Sequence, residues 1–338
     1  MISAEERYSK HYVTVHGLKM AYIDEGVGDP IIFLHGNPSS SYEWRNVIPH
    51  LVDMGRCIAP DLIGMGDSDK LPNSGPSSYR FIEHRKYLDA FLKALNVQNR
   101  VTLVLHDWGS VLGFDWAYRH PHAIYAIAYM ESFVKPIDSW DEWPEEAIAL
   151  FQTIRSKGGE ELVLNDNFFV EKILPAAVLR KLSDAEMAVY RRPYKNRGES
   201  RRPTLTWPRE IPIAGEPKDV CNIIHGTNSS HLKECPQSHA IRISSSRCII
   251  QKSTCHVHIL MNSNSSTAHN VGQFYSCAHA SDRNGSVQLH NRICKVATST
   301  QPINAGIKCT NHHMCPCAVK RNPHCRLRIM MRCFPWNS

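Results

Sequence analysis

The first 220 residues are predicted to fold as an α/β protein with a mostly parallel sheet, and three observations carry that prediction. Short apolar runs alternate with stretches that have apolar residues at helical spacing. Polar groups stand where several of the runs end. After Val220 both features stop, and the composition changes with them: residues 1–220 carry 26 Lys plus Arg against 30 Asp plus Glu, and residues 221–338 carry 13 against 2. The net charge of +7 is therefore −4 for the first segment and +11 for the second.

Taken in order, KMAYIDEG and PIIFLHG read as two strands of a meander, with Gly28-Asp29 between them as the turn. GRCIAPDLIG is a third strand, ending in a loop around Gly64 and Gly66. From about Tyr79 to Leu95, Phe81, Ile82, Tyr87, Leu88, Phe91, Leu92 and Leu95 recur at helical spacing. VTLVL follows as a buried strand, GSVLGFDWAYRH as a helix, and AIYAIAYM as a strand that ends in Glu131. Strands alternating with helices imply a parallel sheet covered on both faces, whose working residues collect at the carboxyl ends of the strands. His35 with Asn37, Asp107 and Glu131 stand at three such ends.

From about Ser139 to Pro208 the pattern turns to helices with Trp, Phe and Pro interspersed, as in SWDEWPEEAIALFQTIRS and NDNFFVEKILPAAVLRKLS. A helical insertion after a strand that carries a reactive group reads as a lid; the plainer alternative is a helical subdomain whose aromatics fill its own core. Beyond Val220 no period of 2 or 3.6 is sustained and no repeat is found.

Eleven of the 12 cysteines and 11 of the 19 histidines lie in that last segment. A zinc site built from Cys315, Cys317, His324 and Cys325 is not expected, because their spacing fits no common finger. The scattered basic residues do not form a nucleic-acid stripe. No apolar stretch reaches the roughly 18 residues of a membrane span, and MISAEERYSK lacks the apolar core of a signal peptide, so a cytoplasmic protein without membrane or nucleic-acid partners is expected. The sequons at Asn228, Asn264 and Asn284 then carry no weight.

The chemistry concentrates in VLHDWGSVLGFDW, residues 104–116, where a polar triplet interrupts the apolar run at the change from strand to helix. Strand, sharp turn and helix are the setting of a nucleophile elbow, whose tip stands exposed beside backbone N–H groups. Asp107 takes the tip usually held by Ser, Gly109 keeps the small position after it, and Leu105 replaces the first Gly of G-x-S-x-G. An Asp there is either a helix N-cap or a reagent. A carboxylate is a poor acyl-transfer nucleophile but a competent one for displacement at saturated carbon, where it forms an ester on the protein. The departing anion then needs donors, and the Trp108 indole and the Asn37 side-chain amide are of that kind. His35 is expected to stabilise its turn rather than act as a base. His106 is expected to point away from the tip and pack.

AYIDEG, HGNPSSSYEWR, DLIGMGDSD, HDWGS, AYMES, GEELVLNDNFFVEKILP and RRPTLTWPREIP together resemble the haloalkane dehalogenases, which have the α/β-hydrolase fold; the likeness runs from about Met20 to Val220. The related coelenterazine luciferases resemble it too. The resemblance implies Asp107 as nucleophile, Glu131 as the acid that orients a histidine, Asn37 and Trp108 as halide donors, and Phe151, Phe169 and Pro208 as lining of an apolar pocket. It implies a small haloalkane and water as the reactants, with no cofactor and no metal. The domains follow: residues 1–134 as the first part of the hydrolase core, 135–208 as a helical cap, 209–220 as the return to the core, and 221–338 as an unrelated tail, disordered or read out of frame.

The family's fold continues after PREIP with a helix, two strands and a final helix, and its histidine lies in a motif close to G-x-H-F-x-x-E-D. No such motif follows here, so the catalytic histidine is unassigned and the second half-reaction is expected to stall. Without further strands the one ending at Glu131 would be a bare edge unless the tail covers it. A dehalogenase is the expectation, with a luciferase-like monooxygenase or a non-catalytic product of an aberrant transcript as the alternatives.

Overall fold

A computed structural model describes residues 2–132 and 135–234, together with the short strands 258–261, 273–276, 293–297 and 330–333. It divides into two units, Met1–Ser265 and Ser266–Ser338. In the first, β1 (His11–Val15) and β2 (Leu18–Glu25) form a hairpin that alternates toward the core. Its turn is His16-Gly17, both at positive φ (50° and 81°), the backbone that a two-residue hairpin loop demands. β3 (Pro30–Leu34), β4 (Arg56–Pro60), α1 (Phe81–Ala94), β5 (Val101–His106), α2 (Trp108–Arg119) and β6 (Ile124–Met130) follow.

The sheet order is β1-β2-β4-β3-β5-β6-β7, where β7 is His258–Met261. β4, β3, β5 and β6 run parallel to their neighbours within this set, and β2 pairs antiparallel with β4. The α/β-hydrolase class expected from the sequence is therefore what forms. The meander is a correction: β2 and β3 are consecutive in sequence but not neighbours, because the connection from β3 crosses over and inserts β4 between them. The four residues Gly26 to Asp29 cannot separate a hairpin from a wider excursion by composition alone.

The main apolar core lies between the sheet and its helices and includes Ile32, Leu34, Ile58, Phe81, Phe91, Leu103, Leu105, Leu112 and Trp116. Between Ser139 and Glu210 lie α3 (Glu145–Arg155), two π-helical turns (Glu160–Asn165 and Phe169–Ile173), α4 (Leu174–Ala177), α5 (Asp184–Arg191) and α6 (Arg202–Glu210). A capping box fixes the start of α5: the Glu186 N–H donates to Ser183 Oγ and the Ser183 N–H donates to Glu186 Oε2. These helices have apolar clusters of their own, one of Ile154, Val163, Leu164, Phe169 and Leu205, the other of Val170, Leu182, Met187, Tyr190 and Tyr194 closed by Tyr42.

α7 (Lys218–Glu234) continues past the break in composition, with Val220, Cys221 and Ile224 buried. Helix beyond Val220 was not foreseen, since CNIIHGTNSS has too few apolar positions to show a 3.6-residue pattern. β7 pairs antiparallel with β6 and covers the edge that would otherwise be bare. In the second unit β8 (Gln273–Ser276), β9 (Ile293–Ala297) and β10 (Met330–Cys333) form an antiparallel sheet in the order β10-β9-β8. The sequons Asn264 and Asn284 and the quartet Cys315, Cys317, His324 and Cys325 lie outside the described residues. Among the described residues no helix is long and apolar enough to cross a membrane, and no group of three or more His, Cys, Asp or Glu could hold a metal.

Candidate active site

Three parallel strands end side by side and set the site. Leu34 is in register with Leu105, and His106 with Met130, so Gly36, Asp107 and Glu131 follow at adjacent ends. Asp107 has φ 50° and ψ −125°, and Glu131 has φ 51°, backbone that a non-glycine residue adopts only where the surroundings hold it. The elbow is held by the Asp107 N–H, which donates to Met130 O at 3.3 Å, and by the Ser110 N–H, which donates to Asp107 O at 2.9 Å. Gly109 is obligatory in this turn: a Cβ there would lie 2.3 Å from Leu34 O.

The Asp107 carboxylate is held by one oxygen. Oδ2 accepts from the Trp108 N–H at 2.6 Å and from the Asn37 N–H at 3.1 Å. Oδ1 takes no part in these two bonds. The side chain accepts from the first helical N–H, so it also caps α2. Burial pushes the carboxyl up from the ordinary range, opposed by the His106 charge and the two N–H donors.

Around this centre the expected residues fall unevenly. Asn37 touches Asp107 through its backbone, while its side-chain Nδ2 donates to Thr204 O at 3.2 Å and its Oδ1 is buried without a partner. Trp108 is buried and stacks on Trp207 at 4.5 Å, which in turn stacks on His84 at 4.2 Å. Phe151 packs edge-on against Trp143 at 5.0 Å, Phe169 belongs to the cluster with Leu205, and Pro208 is buried inside α6, next to Trp207. Phe151 and Phe169 thus sit in different clusters.

The buried His35 and His84 and the partly exposed His106 are each occupied differently. His35 receives the Leu62 N–H on Nε2 at 2.9 Å and has Nδ1 3.0 Å from Gly36 O, so it braces its turn as expected, and burial lowers its pKa. His84 has no polar partner on either nitrogen, and burial lowers it to about 3. His106 differs from the expectation of plain packing: its Nδ1 is 2.5 Å from Glu43 Oε1, as an ion pair whose N–H direction is out of line for a hydrogen bond. Glu43 escaped sequence reasoning because it sits in the loop SSSYEW with no motif around it; only its place in HGNPSSSYEWR marked it.

Comparison with known proteins bears on the fold and the family. A family model described as alpha/beta hydrolase fold matches residues 29–197. A haloalkane dehalogenase of Sphingobium indicum is 60% identical over 214 residues, which cover 63% of this chain and 72% of that one. A coelenterazine h 2-monooxygenase of Renilla reniformis is 52% identical over 202 residues, covering 59% and 63%. The crystal structure of haloalkane dehalogenase DbeA from Bradyrhizobium elkani matches with TM-score 0.62 and 43% identity, covering 66% of this chain and 76% of that one. With an aspartate at the elbow, the matching fold and a relative of that identity, the chain belongs to the haloalkane dehalogenases, hydrolases of the α/β-hydrolase fold.

Proposed function

We propose that this chain displaces halide from small haloalkanes by forming an alkyl ester on Asp107 and stops there, for want of a base to hydrolyse it. The carbon–oxygen bond forms from Oδ1 as the carbon–halogen bond breaks, and the halide leaves with the bonding electrons. The observation that carries this is the hold on Oδ2 by two backbone N–H groups, which leave Oδ1 out of both bonds. Asn37 and Trp108 would receive the halide, Glu131 would orient a base, and Phe151, Phe169 and Pro208 would contact the alkyl chain. Residues 135–208 would then be the cap over a core made of 1–134 and 209–220. No cofactor or metal enters the step.

Hydrolysis of the ester needs a base to take a proton from water. Of His35, His84 and His106, the first has both nitrogens engaged, the second stacks on the Trp207 indole and the third is paired with Glu43, so none of these three serves. The test is halide release from 1-bromohexane, with Asp107→Asn as the control. Release by the parent and none by the variant supports the proposal; equal release by both refutes it. The 52% identity to a coelenterazine monooxygenase favours one second reading, light emission on adding coelenterazine.

A further inference from the structure

Glu43 and His106 form a charge pair one residue before the elbow tip, and neither has a part in halide displacement as described so far. Glu43 lies on the 3-10 turn Ser41–Trp44, whose start is fixed by the Ser40 hydroxyl accepting the Tyr42 N–H. His106 is the last residue of β5, so its backbone leads without a break into Asp107. The side chains keep 31% (His106) and 19% (Glu43) of their surface open, so water screens the pair only in part.

We propose that Glu43 fixes His106 as an imidazolium and that this cation, one residue before the nucleophile, holds Asp107 in its ionised, attacking form. His106 is thus a positioning residue for Asp107, and Glu43 acts through it; the inference rests on Asp107 being the nucleophile. Burial alone would pull His106 down, but the Glu43 carboxylate outweighs it and holds the imidazole up at about 9, with Asp107 and Glu131 adding to the effect. For Glu43, burial works against the charge and His106 more than offsets it, helped by His35. For Asp107, burial opposes the charge, His106 is the largest opposing influence, and Glu43 works slightly the other way. Tyr190, from α5, also feels Glu43 and is kept protonated, so it adds no charge at neutral pH. The two N–H donors to Oδ2 do not titrate, whereas the His106–Glu43 pair does.

The test is the pH profile of single-turnover bromide release from 1-bromohexane by the full chain and by His106→Gln, Glu43→Gln and His106→Lys. In His106→Gln the acid limb should move up by about one pH unit, the low end for loss of a neighbouring opposite charge. Glu43→Gln should move it the same way, because His106 then loses its proton near neutral pH, and His106→Lys should return it toward the parent. A purely structural role would lower the amplitude and the melting point without moving the limb. An unmoved limb in His106→Gln, with the parent releasing bromide, overturns the inference alone; a parent that releases none at any pH overturns the nucleophile as well. The NMR shift of the His106 ring in the parent needs no variant: an imidazolium at pH 8 supports the inference, and a neutral ring there overturns it.

Discussion

Gly36 and Asp107 share one space: a Cβ on Gly36 would lie 2.3 Å from the Asp107 Cβ and 2.4 Å from its Oδ2. The Asp107 carboxylate can sit under its two N–H donors only because the neighbouring strand end has no side chain there. Gly36→Ala should therefore displace the carboxylate and cost about 1–3 kcal/mol of stability by overpacking. Denaturant unfolding measures the cost. Bromide release should fall by more than the stability loss explains, because the hold on Oδ2 is lost.

The raised pKa of Asp107 fixes the sign of a pH effect. Only the carboxylate attacks, so alkylation should fall as pH drops through a value above the ordinary aspartate range. The initial rate of bromide release between pH 4 and pH 8 checks this, and a flat rate down to ordinary aspartate values contradicts it. The parent's limb is the reference for the charge-pair variants.

The proposed halide donors, Trp108 and Asn37, make a second rate prediction. Trp108→Phe and Asn37→Ala should each slow ester formation by roughly 100-fold, as for loss of one aimed donor, with little change in the mass of adduct finally formed. Rapid-quench mass spectrometry separates rate from extent. Equal rates in parent and variants would remove both residues from the site.

Glu186 ties the helical segment to the core. Its carboxylate pairs with Arg45 at 2.5 Å and with Arg180, and only 2% of the residue is exposed. Arg180 and the Ser183 N–H hold its pKa down at about 2. A depressed carboxylate contributes stability in full above its unfolded value, ordinarily 4.5, and loses it as pH falls through about 2. Glu186→Gln should leave the Arg45 charge buried without its partner and cost ~3 kcal/mol at pH 7, with less difference from the parent near pH 2. Thermal unfolding at the two pH values measures this.

The elements that position Asp107 were legible because each had a local signal. VTLVL is apolar but for Thr102, Gly109 follows the tip at the required spacing, and the helix after it has apolar residues at helical spacing. The strand order was not legible: nothing in IDEGVGDPIIF tells whether β3 lies beside β2 or one place further on. Glu43 was invisible for the opposite reason, since a loop carboxylate has no period and its partner is on a strand far along the chain. The hairpin at His16-Gly17 had a readable signal, HYVTV alternating before a Gly turn, which the longer apolar runs outweighed. The site's halves differ likewise: Asn37, Asp107 and Glu131 follow from strand ends, whereas Phe151, Phe169 and Pro208 depend on helix packing that spacing does not determine.

The central claim is that Asp107 accepts the alkyl group and keeps it. Purified full chain treated with excess 1-bromohexane should release about one bromide per chain, gain one hexyl group in intact mass, and carry that group on the peptide containing Asp107. Repeated bromide release with no adduct would contradict the stall and show that a histidine completes the cycle, and no bromide at all would contradict the nucleophile itself.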